Sequence, residues 1–401
     1  MKKDGSYPTG LTGRLIAFLK AEGFEYQAKD TRSRPKPELS LKLNLGDKKP
    51  RYYQTAASLL PDTKPRGVYN IGTGGGKTVT SALIVDRLQV PTLFVTPDTG
   101  LRKQALKDYQ EWFGLHNVGD QITDPRPIII ANIQSLNKKD PKLFHRFKAL
   151  MIDEFHHSSA DSYLSLNKSC TNAFYRYGFT GTFIRTDGTD MVMHGVLSNI
   201  IFKKTTSELI EEGFLVRPYI TMIKVNLPKS KMSYKEAYDF ITDYVPFNNI
   251  VAEIASAKIK EVKQTLVLVR RKEHGRMLES MIPGSLFVSG DDKGAVRENV
   301  KKAFIEKRIR CLIATEIFGE GQDIPSIDVL INARCQKTAI QTSQGIGRAL
   351  RLHPGKDKAE VYDFYFDGQK HLKDHGLERI ASYKKEPAFK IQFKEDFDSL
   401  C

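Results

Sequence analysis

Short apolar runs alternate along this chain with longer stretches in which apolar positions recur every three or four residues. Residues 68–71, 92–95, 128–131, 149–152 and 177–180 read as strands. Residues 78–88 and 99–113 read as helices, the second carrying Leu101, Ala105, Leu106, Tyr109, Trp112 and Phe113 on one face. A polar, lysine-rich connection with little periodicity spans 227–244. The alternation then restarts, with strands at 265–269, 286–288, 311–314, 329–332 and 360–366 and helices at 275–281, 295–306 and 340–350. Strands alternating with helices predict parallel sheets covered on both faces, so the pattern describes two α/β units in tandem.

The first fifty residues follow a different pattern. A helix over 12–22 and an alternating run at 39–45 flank a proline-containing basic stretch at 32–37. This segment carries 11 Lys and Arg against 6 Asp and Glu. It predicts a small basic α+β accessory domain over 1–48, ahead of α/β domains at 49–215 and 216–401.

Charge narrows the class. The 401-residue chain has a formal net charge of +15, which favours a polyanionic partner. Its four cysteines (Cys170, Cys311, Cys335, Cys401) form no CxxC pair, so zinc, iron–sulfur clusters and a disulfide framework are not expected. Reduced thiols, no apolar run of membrane-spanning length and no apolar segment behind Lys2 and Lys3 point to the cytoplasm or nucleoid.

Three segments carry chemistry. Thr73-Gly74-Gly75-Gly76-Lys77-Thr78 follows a predicted strand and opens a helix, the setting in which backbone N–H groups cradle phosphates. The strict GxxxxGK[ST] string fails at its first position, where Ile71 stands, but the looser GxGKT form is met. Lys77 is expected to bridge the terminal phosphates of ATP and Thr78 to place its hydroxyl on Mg²⁺. Asp153 and Glu154 emerge at a strand's C-terminal end; Asp153 is expected to hold Mg²⁺ and Glu154 to orient and deprotonate water. Neither HExxH spacing nor cysteine partners support a zinc site there. Gln344-Gly345-Ile346-Gly347-Arg348-Ala349-Leu350-Arg351 offers two arginines one helical turn apart, suited to a γ-phosphate. Gln54, in Arg51-Tyr52-Tyr53-Gln54, has an amide that matches the N6/N7 edge of adenine.

Taken together, these segments resemble the superfamily 2 helicases over roughly residues 50 to 370. Arg51 and Gln54 look like the Q motif, Gly74 to Thr78 motif I, and Thr96-Pro97 with Leu101 and Gln104 motif Ia. Ile133-Gln134-Ser135-Leu136 is similar to motif Ic, Asp153-Glu154-Phe155-His156 to a DEAH-type motif II, and Gly178-Phe179-Thr180-Gly181-Thr182 to motif III. Leu268-Val269-Arg270-Arg271 sits where motif IV belongs. Ala314-Thr315-Glu316 with Gly319, Gly321, Asp323 and Pro325 resembles motif V, and Gln344 to Arg351 motif VI. Phe155 departs from the small residue frequent at its position. The short length and small N-terminal module look like the phage UvsW-type and XPB-like branches.

The resemblance implies two RecA-like parallel-sheet domains with ATP between them, Lys77 and Glu154 on one wall and Arg348, Arg351 and Gln344 on the other. Arg51, Gln54, Thr73, Gly74, Gly75, Gly76, Gly321 and Asp323 would contact nucleotide. His156, Thr180 and Thr182 would relay its state, and Thr96, Pro97, Arg102, Gln134, Ser135, Arg270, Arg271 and Thr315 would grip the strand. It further implies a monomeric, DNA-stimulated ATPase that unwinds or branch-migrates single-stranded, forked or branched DNA in recombination, repair or replication. An RNA helicase, a duplex translocase and a nucleic-acid-binding protein with a vestigial ATPase remain alternatives.

Overall fold

A computed structural model describes residues 7–137, 139–154, 160–181, 190–315, 327–336, 346–347 and 349–395, and the chain divides into two compact units between Thr205 and Thr206, with Thr73–Gly75 grouped with the second. In the first unit, α1 (Thr12–Ala21) and α2 (Tyr52–Leu59) precede β1 (Arg66–Ile71), α3 (Lys77–Leu88), β2 (Thr92–Thr96) and α4 (Thr99–Phe113). There follow β3 (Val118–Gly119), β4 (Ile128–Asn132), α5 (Ile133–Leu136), β5 (Ala149–Asp153), α6 (Ala160–Ser169), β6 (Tyr175–Thr180), α7 (Asp190–Leu197) and β7 (Ile200–Lys204). All seven strands are parallel, in the order β3-β4-β2-β5-β6-β1-β7. Leu93, Phe94, Val95, Leu150, Met151 and Ile152 are buried, as central strands of a two-faced parallel sheet require.

The second unit runs α8 (Thr206–Glu211), β8 (Arg217–Asn226), α9 (Tyr234–Asp243), α10 (Val245–Lys260), β9 (Thr265–Leu268), α11 (Lys272–Met281) and β10 (Ser285–Val288). It continues with α12 (Gly294–Ile305), β11 (Cys311–Ala314), β12 (Val329–Asn332), β13 (Lys358–Asp367), α13 (Lys370–Tyr383) and β14 (Lys390–Lys394). Its seven strands are also all parallel, in the order β10-β11-β9-β12-β13-β8-β14. Phe247 on α10 meets Phe364 and Phe366 of β13 edge-on, with ring centroids 4.9 and 5.3 Å away. The buried Arg379 of α13 donates to Asp363 (2.9 Å), which also accepts from Tyr383. A charge enclosed so completely is tolerable only with its counter-charge and hydrogen bonds in place.

Three expectations change. Residues 39–45 form no strand; they lie extended over the ends of α3 and α4 as part of the first unit. Leu41 N–H donates to Gln89 Oε1 (2.7 Å), Leu43 N–H to Asp86 and Asn44 N–H to the Trp112 carbonyl. Side chains and a helix end therefore satisfy the backbone that a neighbouring strand was expected to satisfy, and only Leu41 of the run is buried. Arg34 ties the same arm down by donating to Tyr175 Oη and to the Pro61 and Asp62 carbonyls. Residues 227–244 are not irregular throughout, because α9 starts there on a capping box between Ser233 and Glu236. Finally, the units part ten residues ahead of the expected boundary at 215, because α8 opens the second unit.

Candidate functional site

The glycine loop occupies the turn between β1 and α3. Gly74 and Gly76 have φ of 81° and 79°, a region that side chains with a Cβ rarely adopt. A Cβ on Gly76 would also stand 2.3 Å from Gln54 Nε2, so the buried Gln54 amide lies directly against the loop. Gln54 Oε1 accepts the Arg51 N–H at 2.8 Å in a capping box at the start of α2. The amide expected to read adenine thus has its acceptor committed to the chain and its donor end turned to the loop. Arg51 itself donates to Tyr53 Oη at 2.9 Å. Thr78 is half-buried in the first turn of α3.

Asp153 ends β5 and Glu154 follows, both buried. Lys77 Nζ meets Glu154 Oε1 at 2.8 Å, so the start of α3 and the paired carboxylates come together within the first unit. Burial and then the neighbouring Glu154 push the Asp153 carboxyl up to about 7, against the pull of Lys77. Glu154 has φ of 41°, a strained backbone for a non-glycine residue, and its N–H donates to Asp153 Oδ1 at 3.1 Å. One lysine between two buried carboxylates leaves local negative charge in excess, a donor set that fits a divalent cation.

The residues expected to grip a strand divide. Gln134 and Ser135 are exposed at the start of α5, where Asn132 caps the helix by accepting the Ser135 N–H. Gln134 also donates to the Pro97 carbonyl at 2.7 Å. Thr96, by contrast, is fully buried, with its hydroxyl donating to the Asp98 carbonyl, and Pro97 is buried beside it. These two shape the loop and present no side chain to solvent. Arg102 pairs with Asp120 at 2.7 Å, and Thr180 is buried at the end of β6.

In the second unit, the Arg270 guanidinium lies 4.5 Å from the Tyr238 ring and 5.4 Å from that of Tyr234, while Arg271 pairs with Asp239. Both arginines are therefore docked on α9, a helix the sequence reading passed over. Thr315 is buried just after β11. Arg351 occupies a bend beyond the helical residues 346, 347 and 349. His156, Thr182, Gly321, Asp323, Gln344 and Arg348 lie outside the described residues. The lysines beside the ends of β8 and β13 escaped the sequence reading, although Lys229, Lys231, Lys370 and Lys373 line one cavity there. Among the described residues, no helix is long and apolar enough to cross a membrane.

Comparison with known proteins adds a family. Residues 44–185 match the model described as type III restriction enzyme, res subunit, and residues 247–353 match the helicase conserved C-terminal domain. The ATP-dependent DNA helicase uvsW of Enterobacteria phage T4 is 25% identical, over 94% of this chain and 86% of its own. The DNA 3'-5' translocase XPB2 of Sulfurisphaera tokodaii is 24% identical, over 85% of each chain. In fold, the chain resembles a fragment of a putative HsdR subunit of a type I restriction enzyme from Vibrio vulnificus. That likeness has a TM-score of 0.66 at 20% identity and covers 86% of this chain and 68% of the fragment.

Proposed function

The chain belongs to the superfamily 2 helicases, ATP-dependent enzymes acting on nucleic acid, and within that family we propose that it is a motor that unwinds or branch-migrates DNA. The observation that carries this reading is the 2.8 Å pair between Lys77 and Glu154, with Asp153 beside it at the C-terminal edge of the first sheet. On this reading Lys77 leaves Glu154 for the β and γ phosphates of ATP, and the freed carboxylate orients and deprotonates the attacking water. Thr78 and Asp153 would hold Mg²⁺, which when bound supplies charge neutralisation at the phosphates. Arg348 and Arg351, with Gln344, would stabilise charge on the transferred phosphoryl group.

DNA is the proposed partner because the two relatives described above are named for DNA and align over most of their length. The deciding experiment is an ATPase titration with single-stranded DNA, duplex, fork, four-way junction and RNA, followed by strand displacement on the best activator. Stimulation by forked or branched DNA, with strand displacement, is expected; stimulation by RNA alone would overturn the choice of DNA. Glu154→Gln is expected to retain ATP binding and lose about 10²–10⁴-fold in turnover; loss of binding would remove Glu154 from the role of base. A second reading, translocation on duplex without strand separation, draws on the translocase relative and predicts triplex displacement without unwinding.

A further inference from the structure

The two sheets share one layout. β1 lies between β6 and β7 in the first, and β8 lies between β13 and β14 in the second. By strand order, then, the loop after β8 holds the place that the glycine loop holds after β1. Such loops, at the C-terminal edge of a parallel sheet, are where α/β folds hold ligands. The second unit carries a cavity of about 730 Å³ at this place, lined by Lys229, Lys231, Lys370 and Lys373 and a single carboxylate, Asp367.

The composition of this place selects its ligand. Residues 227–231 contain no glycine, so the backbone does not wrap a terminal phosphate as residues 74–76 are built to do. Charge comes from lysine heads instead. The loops that carry them are pressed backbone to backbone: Gly368 has φ of 95°, and a Cβ there would stand 2.1 Å from the Leu227 carbonyl oxygen. The buried Gln369 fastens them further, donating to the Met232 carbonyl (3.2 Å) and accepting the Leu372 N–H (3.0 Å) at the start of α13. Two of the lysines thus stand on the loop after β8 and two in the first turn of α13, which the loop after β13 leads into, on a common base. Beside them, Tyr234 is 41% exposed, with Arg270 over its ring and the His371 ring edge-on at 6.4 Å. Lys373 is paired with Asp367 at 3.0 Å, and the remaining excess of positive charge next to an exposed aromatic suits a strand in which phosphates and bases alternate.

We propose that the loops after β8 and β13 form a second phosphate-binding site, which holds the phosphodiester backbone of a single nucleic-acid strand. This inference rests on the nucleic-acid motor reading above. It goes beyond it by assigning strand contact to residues outside the helicase motifs.

The test compares three full-length variants with the unaltered chain in anisotropy titrations of a labelled oligo-dT across a salt series. In the first, Lys229, Lys231, Lys370 and Lys373 are all changed to Ala; in the second, the same four are changed to Arg. In the third, Lys293, Lys301, Lys302 and Lys307, on and around α12 beside the opposite sheet edge, are changed to Ala. The first set is expected to bind about tenfold more weakly at low salt, with a slope of log K against log salt shallower by about 2 to 3. The Arg set is expected to keep the original slope. An unchanged slope in the first set, or equal shallowing in the α12 set, overturns the proposal, provided melting temperatures match. If the unaltered chain binds no polynucleotide, the motor reading falls with it. If that chain binds and the first set binds identically, only this inference falls.

Discussion

Two loops at matching places in two sheets of the same order have been built from opposite materials. After β1 the chain spends glycines, and the positive φ at Gly74 and Gly76 turns the backbone itself into the reagent. After β8 it spends lysines, and the backbone is occupied in holding two loops together. A shared architecture therefore dictates where a ligand is held but not which one. A compact, highly charged phosphoryl group needs fixed N–H donors at short range, whereas a long strand is met by flexible heads that tolerate a shifting register.

The contrast can be tested in order of effect. Lys77→Ala is expected to reduce hydrolysis to background. It should also cost about 3 kcal/mol of stability by leaving Glu154 buried without its lysine. Adding Glu154→Gln to that variant is expected to recover much of the stability, read by chemical denaturation, and none of the turnover. Arg348→Ala is expected to lower kcat by about 10³-fold or more while nucleotide binding persists; full turnover would remove Arg348 from the catalytic role. The next effect belongs to the second unit. Burial lowers His274 to about 4, with its ring nitrogen 2.8 Å from Asn248 Oδ1. An unfolded imidazole titrates near 6.5, so only the unfolded chain takes up the proton as pH falls from about 6.5 to 4. Stability is then expected to drop by up to about 3 kcal/mol over that window. Denaturation at stepped pH checks this, and His274→Gln is expected to flatten the slope. The smallest effect is at the arm: Arg34→Ala is expected to cost about 1 kcal/mol, because its bonds to Tyr175, Pro61 and Asp62 lie at an exposed position.

Much of both sheets was legible in the sequence, since strands such as 311–314 are pure apolar runs flanked by polar residues, and 329–332 is apolar up to its closing Asn332. What escaped did so for identifiable reasons. The sequence reading predicts no element over 217–226, where β8 sets exposed Tyr219 and half-buried Lys224 around a buried run from Ile220 to Ile223 and so shows neither a clean alternation nor a pure apolar run. α9 is short, and its apolar face is only Ala237, Tyr238 and Ile241; yet Ser233 and Glu236, three apart, are the signal that finds it. The run at 39–45 misled because alternation reports one buried face, and an arm crossing helix ends shows the same pattern as a strand. The joining of Lys77 to Glu154 could be expected from their positions at strand ends, whereas the burial of Thr96 could not, since a threonine closing a strand fits either side of the surface.

The lysine of the glycine loop is paired with a carboxylate of the chain itself. Capture would then be, on the proposed reading, an exchange: the apparent affinity for ATP would be what remains after an existing bond has been given up. On the proposed reading, the residue that activates water is silenced by the very group that must later release it. An idle molecule would thus keep its own base muzzled, and loading would be the event that removes the muzzle.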